Sequence, residues 1–165
     1  MSESPIFNIV ILALVTLERL GELRLANRNT KRLLAEGARE HAPGHYPLIV
    51  ALHASWLACL WWLAPRQPIQ PLFLALFLLI EIGRLWVLAS LGPRWTTRVI
   101  VLPNAPLVRR GPYRFIDHPN YVVVIAEILV LPLAFGLWRT ALIFSLLNAA
   151  VLAIRIRAEN RALGR

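Results

Sequence analysis

From residue 69 to residue 91 the chain runs apolar almost without a break, and Glu81 and Arg84 are its only charges there. Crossing a bilayer takes about 20 such residues. A soluble helix of that length would show a polar face at helical spacing, and this stretch has none. Residues 47–64, 119–138 and 140–160 read the same way. Residues 5–26 are apolar at first, then crowded by Glu18, Arg19, Glu22 and Arg24. The 165-residue chain is 58% hydrophobic and 16% charged, with a mean hydropathy of +0.59. Soluble domains run near roughly half and a quarter, so this much apolar surface belongs in lipid. The expectation is one all-α integral membrane domain over residues 1–165, with about five transmembrane helices.

The formal net charge is +9, which in a soluble protein would point to nucleic acid. Here the basic residues sit in the connections, so membrane topology accounts for them and no nucleic-acid partner is expected. With the N-terminus outside, the connections after the first and third spans and the C-terminal tail lie inside. The outer turns then hold only Arg66 and Arg139, a positive-inside pattern. Residues 1–4 lack the positive start of a cleaved signal. Cys59 reads as a small buried hydrophobe. His41 and His45 are four apart, but Pro43 and Gly44 break the helix they would have to share, and no metal is expected.

Several polar residues fall inside the spans. Glu18 and Glu22 share one helix face with Arg19 beside them, Glu81 and Arg84 are spaced to pair with each other, and Glu127 sits mid-span. His53 reads as hydrogen-bonded to a neighbour. Trp56, Trp61 and Trp62 form an aromatic belt at the far end of the second span. The tight turn at 65–68 predicts that spans two and three pack as an antiparallel hairpin.

The chemistry concentrates in the loop at 92–118 and just beyond it. The loop is long and basic, with Arg94, Arg98, Arg109, Arg110 and Arg114, and such loops tend to carry function. Residues 96–102 and 107–110 flank Pro103-Asn104-Ala105-Pro106, which predicts an extended excursion folded over the membrane face as a lid. Gly111 and Pro112 mark a turn, and Pro119 suits the first position of a helix. Tyr113, His118, Asn120 and Tyr121 then gather at a helix N-terminus, whose free N–H groups favour the anionic part of a ligand. The topology brings Arg155 and Glu159, four apart on the last helix, to the same cytoplasmic side. A cytoplasmic pocket formed by the loop before helix 4 and the end of helix 5 suits a soluble cofactor meeting a lipid-like substrate. The plainer alternatives are interfacial tyrosines, a histidine that only caps a helix, and an ordinary Arg155–Glu159 ion pair.

Gly111-Pro112-Tyr113, then His118-Pro119-Asn120-Tyr121, then Arg155-x-x-x-Glu159-Asn160-x-x-Leu163 resembles the isoprenylcysteine carboxyl methyltransferase family over roughly residues 90–163. The resemblance implies S-adenosylmethionine bound near the cytoplasmic face. Tyr113, His118, Pro119, Asn120, Tyr121 and Glu159 stand at the positions of its contacts, and Ala105, Pro106, Leu107 and Val108 align with a further contacting stretch. Arg155 matches the arginine near the methyl acceptor. The chain departs from the family pattern at Asp117, where arginine is usual, and at Asn160, which replaces a second glutamate.

Glu18-Arg19-Leu20-Gly21-Glu22 and the 37–46 connection look like the bacterial branch associated with type III polyketide synthases. That branch implies an inner-membrane O-methyltransferase acting on a phenolic lipid, an alkylpyrone or alkylresorcinol, and a functional link to such a synthase. A phenol would need a base, for which His118 and Glu159 are the candidates. Other acceptors and classes stay open: a prenylcysteine carboxylate, a phospholipid amine, a reductase of the steroid-reductase type, or a scaffold without catalysis.

Overall fold

The computed structural model describes residues 5–162; the 1–4 opening and Leu163 of the C-terminal motif lie outside them. Five helices make the molecule: α1 Pro5–Ala35, α2 Tyr46–Leu63, α3 Pro71–Leu91, α4 Pro119–Ala134 and α5 Trp138–Ala162. Three of the described helical segments, Pro43–Leu63, Pro71–Arg94 and Trp138–Ala162, are long and apolar enough to cross a membrane. The chain is an all-α membrane protein by this measure. α4 is apolar but has 16 residues, and α1 has 31 but carries the Glu18–Arg24 charges.

The helix ends follow local chemistry. Pro71 and Pro119 sit in the first turns of α3 and α4, where a missing N–H is harmless. α1 continues through the polar segment to Ala35, and Gly37 at φ 92° supplies the left-handed residue beyond its end. Pro132 lies within the last turn of α4, which closes at Ala134 rather than running to 138.

The core lies away from the long loop. Leu12 and Val15 of α1, Trp56 and Leu60 of α2, Phe77 of α3, and Ile128 and Leu131 of α4 pack together with Phe135. Asn8 pins the α2–α3 turn to α1, its amide donating to the carbonyls of Ala64 and Gln67 at 2.8 Å each. Two expectations fail here. Trp56 belongs to the core and not to an interfacial belt, because it shares a helical stripe with Leu52 and Leu60; Trp62 remains outermost at 85% exposed. α2 and α3 are joined by a short turn yet pack on different partners, α2 on α5 and α1, α3 on α4.

The intramembrane charges also pair differently from their spacing. Arg84 turns away from Glu81: its Nε and Nη2 donate to Glu127, and its Nη1 to both oxygens of Glu22 at 3.0 and 3.1 Å. Arg19 reaches Glu22 at 3.0 Å, Glu127 at 3.3 Å and Glu81 at 3.6 Å. A three-helix ion cluster thus replaces the local pair.

The predicted excursion of the loop finds its partner elsewhere in the sequence. Ile100–Val101 pairs antiparallel with Arg39–Glu40 from the α1–α2 connection, in the register Arg39 to Val101 and Glu40 to Ile100. Arg98 reinforces this pairing, 3.1 Å from Glu40 and 4.6 Å from the centre of the Tyr46 ring.

Candidate active site

The loop between α3 and α4 is held in place by its neighbours' side chains. Asn29 and Arg32 of α1 donate to the carbonyls of Trp95 and Pro93, at 2.8 and 2.7 Å. Arg94 donates to Pro106 at 2.6 Å, and Arg110 to Ser90 at the end of α3 at 2.7 Å. Gly111 closes against that helix end with φ 58°. A Cβ there would run into the Ser90 side chain and come within 3.2 Å of Trp86 Nε1. Only glycine fits both the space and the backbone angle. The chain then makes a 3-10 turn, Gly111–Arg114, and enters α4 through His118 and Pro119.

This arrangement encloses a cavity of about 350 Å³ between the loop and the end of α5. Ala105, Pro106, Leu107 and Val108 line it from the loop, Tyr113, His118, Asn120 and Tyr121 from the entry to α4, and Arg155 and Glu159 from α5. Pro119 is buried at the start of α4 and does not line it. The cavity falls in the size range of small-molecule clefts, about 300–1,000 Å³.

His118 makes no capping hydrogen bond to the helix start, so the capping alternative fails. Its Nε2 meets Asn160 Oδ1 at 3.1 Å, and its Nδ1 lies 3.9 Å from Glu159. With the amide oxygen as acceptor, Nε2 carries the proton and Nδ1 presents a lone pair. The His118 ring stacks on Tyr121, centroids 5.2 Å apart. Arg155 and Glu159 do not form the ordinary ion pair. Tyr121 bridges them, accepting from Arg155 Nε at 2.7 Å and donating its hydroxyl to Glu159. Arg155 Nη1 also donates to the Thr97 carbonyl at 2.6 Å, joining α5 to the loop. Burial, helped by the Glu159 carboxylate, pushes the Tyr113 phenol up from its ordinary range, so it stays a neutral donor.

Beneath this cavity, inside the bundle, lies a second one of about 280 Å³ with largely apolar walls from α1, α2, α4 and α5. The two share a wall made by Trp95, Thr96, Asn120, Tyr121 and Arg155. Asn120 Oδ1 and Trp95 Nε1 are buried in this wall without a hydrogen-bond partner among the described residues. The sequence reading missed Trp95 of this wall and Thr97, which lines the chamber beside it. Their only signal was membership of a long basic loop, because Asn29 holds Trp95 and Arg155 holds Thr97 from far away in the sequence. Among the described residues no group of three or more His, Cys, Asp or Glu could hold a metal ion.

A polar cavity and an apolar chamber thus stand back to back across one wall. Residues 73–165 match the isoprenylcysteine carboxyl methyltransferase (ICMT) family. The chain belongs to that family, whose members are S-adenosylmethionine-dependent membrane methyltransferases. Among its relatives, the Bacillus subtilis (strain 168) "Uncharacterized protein YpbQ" is 36% identical over 167 residues, 93% of this chain and 95% of that one. A Haemophilus influenzae "Uncharacterized protein" is 25% identical over 151 residues, 88% of each chain. No solved structure matches the chain significantly.

Proposed function

We propose that this protein transfers a methyl group from S-adenosylmethionine to an oxygen of a lipid-like acceptor, most specifically a phenolic lipid such as an alkylresorcinol or alkylpyrone. In this reading all five helices span the bacterial inner membrane, the N-terminus lies outside and the cavity faces the cytoplasm. The observation that carries it is the shared wall: Asn120, Tyr121 and Arg155 border a polar cavity on one side and an apolar chamber on the other. The residues suit the cofactor. Glu159 and Tyr113 offer an acceptor and a neutral donor for hydroxyl groups, the unpaired Asn120 oxygen awaits a donor, and Arg94 and Arg98 line the cavity for a carboxylate.

When bound, S-adenosylmethionine supplies an electrophilic methyl group on a sulfonium. The chain's own task is to hold an acceptor oxygen in line with it and exclude water. Arg155, fixed by Tyr121 and Thr97, orients that oxygen from the wall. An ionised enol or a carboxylate needs nothing more. A phenol must lose its proton, and the candidate bases lining the cavity are His118 Nδ1, bare while Nε2 is held by Asn160, and the Glu159 carboxylate. A link to a type III polyketide synthase would follow from a phenolic-lipid acceptor, since such a synthase makes that class of ring.

Calorimetry of S-adenosylhomocysteine binding to the detergent-purified chain tests the cofactor half. Binding by the parent that is lost in Glu159→Ala and weakened in His118→Ala supports the assignment. A folded parent that binds nothing sinks it and turns attention to reduced nicotinamide. Transfer of labelled methyl to alkylresorcinols, alkylpyrones, prenylcysteines or phospholipids then distinguishes the acceptors.

A further inference from the structure

Most of the charged groups lining the apolar chamber are already engaged. Arg84 and Glu22 are committed to the ion cluster, and Arg155 to Tyr121 and Thr97. Several polar side chains in that lining are not: Trp56 Nε1, Trp95 Nε1 and Asn120 Oδ1 have no hydrogen-bond partner among the described residues, and His53 and Asn148 join them. His53 donates from Nδ1 to the Ile49 carbonyl at 2.8 Å; a carbonyl can only accept, so in the neutral ring Nε2 is left as a lone pair, with no partner among the described residues. Asn148, on α5, is 2% exposed and makes no side-chain hydrogen bond among the described residues.

Counting helical turns sets His53 and Asn148 at a similar depth. Asn148 is two helical turns, about 10 Å, before Arg155 on α5. His53 is two turns beyond Tyr46 on α2, and Tyr46 meets Thr97 at the chamber's rim, 3.2 Å away, where Arg155 also attaches. An amide and an imidazole nitrogen that line an apolar chamber without protein partners are free to meet a ligand's polar group. The pairing of types also selects that ligand. A carboxylate would set lone pair against lone pair at Nε2, whereas a hydroxyl donates to Nε2 and accepts from the Asn148 amide.

We infer that His53 Nε2 and the Asn148 amide form a second polar station in the chamber that receives a hydroxyl group of the acceptor, distinct from the oxygen methylated beside Arg155. The inference rests on the reading of the chamber as the acceptor's place. It makes His53 and Asn148 specificity-determining residues that favour dihydroxylated ring lipids over acceptors whose stem bears no hydroxyl.

The test uses the full chain in detergent, labelled S-adenosylmethionine, and two acceptors with the same tail: a 5-alkylresorcinol and its monomethyl ether, which lacks the second O–H. The parent is expected to show a KM for the resorcinol about tenfold below that for the ether, the size of one buried hydrogen bond. His53→Ala and Asn148→Ala are each expected to raise the resorcinol KM about tenfold and close that gap, with kcat moved less than about threefold. His53→Gln, which again offers an acceptor oxygen, is expected to restore part of it, and S-adenosylhomocysteine affinity should be unchanged throughout. A gap that survives both alanine variants, or an equal rise in KM for both acceptors, overturns the station. A parent that binds S-adenosylhomocysteine but methylates only prenylcysteine also overturns it while leaving a methyltransferase. A folded parent that binds no S-adenosylhomocysteine overturns the underlying reading as well.

Discussion

Two clusters of charged and polar side chains sit in this largely apolar molecule, and they differ in what they leave over. The ion cluster of Arg19, Glu22, Glu81, Arg84 and Glu127 is deep in the bundle, with side chains 3–17% exposed. Arg84 is spent on Glu127 and Glu22, and Arg19 reaches Glu22, Glu81 and Glu127, so the cluster ties α1, α3 and α4 together; Arg19 Nε and the Glu81 oxygens have no hydrogen-bond partner among the described residues. The cluster of His118, Tyr121, Arg155, Glu159 and Asn160 is also internally bonded, but His118 Nδ1 and part of Glu159 face a cavity, and the Asn120 oxygen beside them is unpaired. Burial of charge is common to both. What separates them is the space beside them: the second cluster lines a polar cavity of about 350 Å³, whereas the ion cluster's charges are mostly turned on one another.

That contrast breaks most decisively at Arg84. Arg84→Met leaves Arg19 as the one cation facing Glu22, Glu81 and Glu127, and removing one partner of a buried ion pair costs about 3–5 kcal/mol. A large fall in the detergent unfolding temperature is expected. Adding Glu127→Leu should recover part of it, because a matched apolar pair replaces an orphaned carboxylate. Affinity for S-adenosylhomocysteine in the folded fraction should stay within about twofold. The reverse pattern belongs to Glu159→Gln. This side chain is 26% exposed, so stability should barely move. Losing its charged hydrogen bonds, worth about 1.5–3 kcal/mol, should weaken cofactor affinity about ten- to hundredfold by calorimetry.

Much of the architecture was legible because lipid imposes it: apolar runs, a proline at the start of α3 and α4, and basic connections. The residues that line the upper cavity were legible from the Gly111–Tyr121 stretch and the Arg155 to Glu159 spacing. What stayed hidden was long-range. Glu81 and Arg84 are three apart and read as a pair, yet Arg84 finds better geometry on Glu127, which a linear pattern cannot rank. The Ile100–Val101 strand looked like half of a local excursion, but its partner lies at Arg39–Glu40, beyond an intervening helix hairpin's worth of chain. The chamber escaped notice because its walls are ordinary membrane residues. Its polar exceptions, His53 and Asn148 among them, could have hinted at it, and either of these alone reads as a satisfied helix residue.

Gly111 offers a smaller perturbation that sharpens the same contrast from outside both clusters. Gly111→Ala places a methyl group on Ser90 at a positive φ, which should cost about 1–3 kcal/mol. Because the same turn carries Tyr113 into the cavity, cofactor affinity should fall with stability, unlike in Arg84→Met. Loss of stability alone would show that the turn serves only the fold.

The smallest expected effect is the most discriminating. Tyr121→Phe keeps the stacked ring and its burial while deleting the hydroxyl that links Arg155 to Glu159. One such hydrogen bond contributes about 0.5–1.5 kcal/mol, so kcat/KM should fall about two- to tenfold while the unfolding temperature shifts little. Arg155 would keep its bond to Thr97 but lose the contact that fixes the guanidinium at the wall. If Tyr121 instead acts as glue, like the residues around Arg84, the loss appears in the unfolding temperature and the rates of the folded enzyme stay level. Combining Tyr121→Phe with Arg155→Lys decides further: a bridge that works through Arg155 makes the two losses less than additive, whereas independent structural roles make them add.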